Sequence, residues 1–205
     1  MKLYFAPGAC SLSPHIVLRE AGVPFQLVKV DLATKKLDSG VDFNTINEKG
    51  YVPALALDDG EVLTEGPAIV QYIADHNPQS GLAPKADTPE RSRLQEWLNF
   101  ISTEIHKSFS PLFNKAASDD WKQAATANLS KRFDYLSRRL AGKNYLLGEK
   151  FSVADAYLFT VLNWSGFVGV DLGRWPVLKT YHSRVAARPR VQEALQAEGL
   201  LQSVA

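Results

Sequence analysis

The stretch NPQSGLAPKADT, residues 77–88, interrupts the hydrophobic periodicity of the chain and separates two kinds of sequence. Before it, strand-like and helix-like segments alternate; beyond it almost every segment has helical periodicity. Proline, glycine and serine gathered in this way mark an exposed linker that few contacts cross. The length of 205 residues lets such a chain bury enough apolar surface to be stable without crosslinks. The expected organisation is an α/β domain over residues 1–77, a linker over 78–87 and an all-helical domain over 88–205.

In the first half, KLYFA (2–6) is short, aromatic and closed by Pro7-Gly8, which predicts a strand. Residues 11–21 place Leu12, Ile16 and Ala21 at helical spacing and stop at Gly22. FQLVKVDL (25–32) predicts a second strand, followed by the polar loop TKKLDSG and a weakly patterned stretch ending at Gly50. VPALAL (52–57) and EVL (61–63) flank Asp58-Asp59-Gly60, a hairpin signal. A helix follows from about Pro67 through IVQYIADH, with proline in the first turn where it is tolerated. The order is β-α-β, then β-β-α.

In the second half, Thr88-Pro89-Glu90 opens a long helix in which Leu94, Trp97, Leu98, Ile101, Ile105 and Phe109 recur every three or four residues. Residues 120–141 predict another helix, ending at Gly142. In FSVADAYLF, Ser152 and Asp155 occupy the N-cap and N3 positions of a capping-box variant, a structural role, although the accompanying staple is weak because Phe151 meets only Ala156. WPVLKTYHSRVAAR predicts a last long helix before Pro189, and VQEALQAEGLL a short tail.

Lysine plus arginine (23) nearly cancels aspartate plus glutamate (22), and no basic run exceeds two residues. No electrostatic footprint for nucleic acid or acidic lipid exists, so the expected partner is a small molecule or another protein. Four histidines without ligand spacing and one cysteine give neither a metal set nor an internal disulfide. The apolar stretch at the N-terminus is too short for a signal peptide, and no run approaches the ~18 apolar residues of a membrane span, so a cytoplasmic location is expected.

The lone thiol, Cys10, sits between the Pro7-Gly8 turn and the first helix. Two readings fit the position. Unpaired N–H groups and the positive end of a helix dipole favour thiolate, which makes a reactive nucleophile. Free cysteine is also often a small buried hydrophobe. Cys10-Ser11-Leu12-Ser13 has the spacing of a dithiol redox motif with serine in the resolving position. A mixed disulfide formed there cannot be expelled from within the chain, so its resolution needs an external thiol.

The β-α-β-β-β-α order with cysteine at the first helix resembles a thioredoxin-like domain, and the attached helical half resembles a cytosolic glutathione transferase. The segments MKLYFAPGACSLSPHIVLREAG, LTEGPAIVQYIAD, EWLNFISTEIHKSF and FSVADAYLFTVL are similar to the bacterial beta class of that family. The resemblance covers nearly the whole chain. It implies a mixed four-stranded sheet in the first domain, glutathione as co-substrate, no metal, a small electrophile as second substrate, a role in detoxification and a homodimer.

Residue by residue, the resemblance implies that Cys10 and His106 are catalytic. Pro53 matches the family's cis-proline, which lets the Val52 backbone pair with a bound peptide; sequence alone favours trans, since only about one X-Pro bond in twenty is cis. Glu65 and Gly66, at the start of the second helix, match groups that take the γ-glutamyl end of glutathione; otherwise they read as an ordinary helix start. Many relatives carry serine at Gly66, so an anion here relies on backbone donors. Lys35 matches a contact to the glycyl carboxylate, though a lysine in a polar loop is usually just solvated.

Asn99, Thr103 and His106, at i, i+4 and i+7, share a polar helix face that on spacing alone is solvated. The resemblance has them reach across the domain boundary toward the glutathione sulfur, flanked by Glu104 and Lys107. An electrophile pocket is expected beside Cys10, bordered by Pro7, Phe109, Phe113, Trp164 and Phe167, aromatics that by spacing serve equally as core. Two mechanisms fit the one site: thiol-disulfide exchange through Cys10, and conjugation in which Cys10 and His106 only activate the glutathione thiol. The alternative in a different class is a non-catalytic glutathione-binding carrier or regulator.

Overall fold

Strand β1 (Lys2–Phe5) buries Leu3, Tyr4 and Phe5 and leaves Lys2 exposed. It is central because both of its edges are paired. On one side β2 (Gln26–Asp31) runs parallel, from Lys2 opposite Gln26 to Phe5 opposite Lys29. A parallel pair needs a crossover, and helix α1 (Leu12–Ala21) supplies it. On the other side β4 (Ala54–Ala56) runs antiparallel and pairs in turn with β5 (Val62–Thr64), completing the expected hairpin. A two-residue strand, β3 (Lys36–Leu37), lies outside β2, so the computed structural model, which describes residues 1–201, has five strands in the order β3-β2-β1-β4-β5.

The mixed sheet was expected to have four strands. Two residues in a lysine-bearing loop carry no alternation to read, and a short charged strand is a common way to close a sheet edge. Helix α2 (Gly66–His76) and α1 bury Ile16, Val17, Ile69, Val70 and Ile73. A separate cluster of Tyr4, Val30, Phe43, Val52 and Ala54 includes Phe43 from a 3-10 turn, Phe43–Thr45, inside the stretch that sequence left unassigned.

The second compact unit spans Pro84–Ala186. Helix α3 (Pro89–Phe100) is capped by Thr88, whose hydroxyl accepts from the Arg91 N–H at 3.2 Å. It does not run straight through to Phe109 as the periodicity predicts. Residues Ile101–His106 form a π-helical turn, and α4 (Lys107–Phe113) resumes the α geometry. Ile101, Ile105 and Phe109 stay fully buried across the change, so the apolar stripe survives where the backbone widens. Helix α5 (Asp119–Leu140) buries Ala125, Leu129, Phe133, Leu136 and Leu140. Helix α6 (Val153–Phe167) is buried on nearly all sides, as its continuous apolar sequence demands. Its first turn is a capping box in which Asp155 Oδ2 accepts from the Ser152 N–H and hydroxyl, at 2.9 and 2.7 Å. Helix α7 (Pro176–Ala186) buries Leu178, Tyr181 and Val185.

Residues 187–201 pack with residues 1–83. Their helix α8 (Pro189–Ala197) lies against α1, tied by a two-pronged Arg188–Glu20 bridge at 2.7 and 2.8 Å and by Arg19–Glu193 at 3.4 Å. The helical domain expected over 88–205 includes this tail. Periodicity identifies α8 as a helix but not which surface receives it. Residues 202–205 of that expected domain lie outside the described residues.

Candidate active site

The turn that carries Cys10 is held by its own backbone. Ala9 N–H donates to Ala6 O at 3.1 Å, and Ser13 N–H donates to Cys10 O at 3.2 Å. Ser11, which flanks α1, does not cap the helix with its side chain. Its hydroxyl instead bridges the N–H and carbonyl of Ala6, both at 3.2 Å. Cys10 therefore sits just outside the helix rather than in its first turn, half-buried, and its thiol donates to Val52 O at 3.3 Å. Ser13, in the resolving position, is buried, and its hydroxyl has no partner among the described residues.

Val52 precedes Pro53 through a cis peptide bond, as the resemblance implied and sequence alone did not. Its N–H has no acceptor among the described residues. The segment before it is pinned from two directions. Lys35, at φ +57°, donates from Nζ to Gly50 O at 2.7 Å, and buried Asn47 donates from Nδ2 to Tyr51 O at 2.7 Å. Gly50 has φ +65°, a left-handed conformation that favours glycine, and a Cβ there would lie 2.8 Å from Asn44 Oδ1, so the amide would have to move aside.

Glu65 adopts φ +68° and ψ +111°, a conformation that costs a non-glycine residue about 1–3 kcal/mol. Its carboxylate accepts from Lys49 Nζ at 2.9 Å and from the Tyr51 hydroxyl at 2.7 Å, while Lys49 also reaches Thr64 Oγ1 at 2.8 Å. The hydrogen bond to Glu65 holds both the Lys49 ammonium and the Tyr51 phenol above their ordinary pKa values. At the start of α2, Ala68 and Ile69 both donate to Glu65 O and Pro67 has no N–H, so the helix end presents the Gly66 N–H. A Cβ on Gly66 would lie 4.0 Å from Pro53 Cγ. Cys10, Lys35, Val52, Pro53, Glu65 and Gly66 thus converge within one unit. Lys49 and Tyr51 complete the set; sequence reasoning missed them, although Lys49-Gly50-Tyr51 runs directly into Val52-Pro53.

In the helical unit, Asn99 and Thr103 are exposed neighbours, with the Thr103 hydroxyl donating to Asn99 O at 3.0 Å. Lys107 is exposed, and Glu104 pairs with Arg132 at 2.5 Å. His106 is turned inward: its Nδ1 lies 2.6 Å from the buried Tyr157 hydroxyl, and its ring meets Trp164 edge-on with centroids 4.7 Å apart. The single polar stripe expected of Asn99, Thr103 and His106 is a property of an unbroken α-helix, and the π turn departs from it. Tyr157 was also missed, since a tyrosine in an apolar helix reads as core. Of the aromatics assigned to the electrophile pocket, Phe109 is fully buried beside Trp164 and Phe133, while Phe113 and Phe167 are 50% and 68% exposed. No group of three or more possible metal ligands exists among the described residues.

Residues 8–76 match the family described as the glutathione S-transferase N-terminal domain, and residues 100–189 match its C-terminal domain. Glutathione S-transferase GstA of Escherichia coli O157:H7 is 47% identical over 200 residues, covering 98% of this chain and all of that protein. The solved ternary complex of BphK, a bacterial GST, is 60% identical with a TM-score of 0.96, covering 98% of this chain and all of the other. A sphingomonad glutathione S-transferase complexed with glutathione is 51% identical, with a TM-score of 0.94 and the same coverage.

Proposed function

The chain belongs to the glutathione S-transferase family, with its bacterial beta class, and from that premise we propose that it binds glutathione along its first unit and transfers the glutathione thiol to small electrophiles. The observation that carries the reading is the meeting of the Cys10 thiol with Val52 O at 3.3 Å, in the unit where the Val52 and Gly66 N–H groups have no acceptor among the described residues and Glu65 offers a carboxylate. A tripeptide with an ammonium at one end and carboxylates at both matches that set. The Val52 N–H suits the peptide backbone, the Gly66 N–H an anion at the helix start, Glu65 the ammonium and Lys35 the glycyl carboxylate. The relative solved with glutathione, at 51% identity, supports the same ligand.

In conjugation, the glutathione thiol gives its proton to solvent water, the thiolate forms a bond to an electrophilic carbon, and the leaving group departs with the electron pair of the bond that breaks. Cys10 orients that thiol. His106 acts as a second catalytic residue, and Asn99, Thr103, Glu104 and Lys107 bind glutathione; the family likeness alone supports these roles. The half-buried Cys10, followed by a serine that cannot resolve a disulfide, favours a second activity. The Cys10 thiolate attacks a glutathione mixed disulfide, a substrate thiol leaves and takes a proton, and a second glutathione releases oxidised glutathione and restores Cys10. We further propose a cytoplasmic homodimer that detoxifies small electrophiles; no helix among the described residues is long and apolar enough to cross a membrane.

The test is calorimetric titration with glutathione, followed by assays with an aryl chloride and with hydroxyethyl disulfide on wild type and Cys10→Ser. Micromolar to millimolar binding, conjugation that persists in Cys10→Ser and disulfide activity that disappears are expected. Absence of glutathione binding overturns the proposal, and binding without either turnover makes the protein a carrier.

A further inference from the structure

Glu198 is 5% exposed, and nothing in the reaction proposed above uses it. Helix α8 ends in the paired bonds of a Schellman motif: Gly199 N–H donates to Gln196 O at 3.0 Å and Leu200 N–H to Leu195 O at 2.8 Å, with Gly199 at φ +69°. That geometry aims Glu198 inward and turns Leu200 onto Gly8, where its Cδ2 lies 3.5 Å from the place a Cβ would take. Glu198 Oε2 accepts from the Gly8 N–H at 2.9 Å, and Oε1 meets His15 Nδ1 at 2.8 Å. His15 is wholly buried, and its Nε2 accepts from Arg19 Nε–H at 2.8 Å. A neutral imidazole has one donor and one acceptor nitrogen. The Arg19 bond therefore places the ring proton on Nδ1, facing Glu198, and every group in the series has a matched partner.

We infer that Glu198 is a positioning residue for Cys10. Held from behind by His15, its carboxylate fixes the Pro7-Gly8 turn and so sets where the Cys10 thiol meets Val52 O. The inference rests on the reading of Cys10 as the reacting thiol. Only a carboxylate at the full reach of glutamate serves at this place, since aspartate, one methylene shorter, does not span to both Gly8 N–H and His15 Nδ1. An amide offers one oxygen and one NH₂, so it cannot accept from both the Gly8 N–H and the His15 Nδ1–H. Moving the imidazole proton to Nε2 would turn an N–H against Arg19.

The test is the rate at which iodoacetamide alkylates Cys10, the only cysteine in the chain, in the intact protein at fixed pH. Glu198→Gln and Glu198→Asp are expected to raise that rate about fivefold, the factor given by one hydrogen bond of ordinary net strength. Ser152→Ala, which weakens the other unit, is expected to leave it unchanged. An unaltered rate in both Glu198 variants, or an equal rise in Ser152→Ala, overturns the inference. Should the Glu198 variants not fold, amide exchange in wild type decides: protection of the Gly8 N–H by about a hundredfold supports the inference, and exchange at the rate of an open loop overturns it. Neither readout involves glutathione, so failure of the wild type to bind glutathione is a separate result that removes only the proposed function.

Discussion

Replacing Asp155 by alanine should destabilise the helical unit more than any other single change at a helix end. The carboxylate is fully buried and accepts four hydrogen bonds: from Leu146 N–H, Ser152 N–H and the Tyr181 hydroxyl, each at 2.9 Å, and from the Ser152 hydroxyl at 2.7 Å. Alanine leaves those donors buried without an acceptor, at about 1 kcal/mol or more each, or roughly 4 kcal/mol in total. Relief of a buried charge offsets part of this, because desolvation pushes Asp155 above its ordinary pKa despite the donors that pull it down. The net loss is about 3 kcal/mol, which for a chain of this length lowers the melting temperature by about 10 °C. Ser152→Ala removes one donor and leaves the others served, so it should cost about 1 kcal/mol. Because Asp155 holds its proton more tightly folded than unfolded, its contribution is fullest below the unfolded value of 3.8 and declines as pH rises through the folded one. Asp155→Asn should abolish that slope. Thermal melts by calorimetry and circular dichroism between pH 3 and 7 measure all three variants. A loss below about 1 kcal/mol in Asp155→Ala, or equal losses in Asp155→Ala and Ser152→Ala, would refute the argument.

Glu65→Gln removes the charge offered to an ammonium while keeping its shape, and should raise the glutathione dissociation constant about tenfold by calorimetry. Ser13→Ala removes a buried hydroxyl that has no partner among the described residues, and should stabilise the protein by up to about 1 kcal/mol in denaturant unfolding; destabilisation would mean the hydroxyl is served. Tyr181 is held well above its ordinary value of 10.0 by burial and by the Asp155 charge, so it keeps its proton folded when the unfolded chain has lost it. Stability should therefore fall as pH rises above 10, and Tyr181→Phe should flatten that alkaline limb in melts at pH 9 to 11.

The elements that sequence revealed are those with periodicity over several turns or a strong punctuation signal. Helix α5 was expected over 120–141 and runs over 119–140, and the Asp58-Asp59-Gly60 hairpin lies between β4 and β5. The capping box of α6 was legible because both of its members lie within one turn. Strand β3 was not, since two residues cannot show alternation, and neither was the π turn, because an apolar stripe survives one widened turn unchanged. Within the site, the position of Cys10 before α1 drew attention to its thiol, whereas Glu65 and Gly66 read from sequence as an ordinary helix start and only the family resemblance singled them out. Lys49 and Tyr51 drew no attention, since their partner Glu65 lies 16 and 14 residues away; nor, in the helical unit, did the bond of Tyr157 to His106, 51 residues back. Glu198 is the extreme case: its partners, Gly8 and His15, lie 190 and 183 residues back along the chain.

The return of α8 to the first helix makes the thiol-bearing unit discontinuous, assembled from residues 1–83 and 187–201. A nascent chain that has emerged only as far as the linker holds the whole sheet and yet lacks the surface that covers α1, and the Pro7-Gly8 turn waits for residue 198. Closure of that unit is therefore a late event in synthesis. A fragment cut at the linker should expose the face of α1 that carries Glu20 and Arg19, and should be a poorer starting material for engineering than its sheet alone suggests.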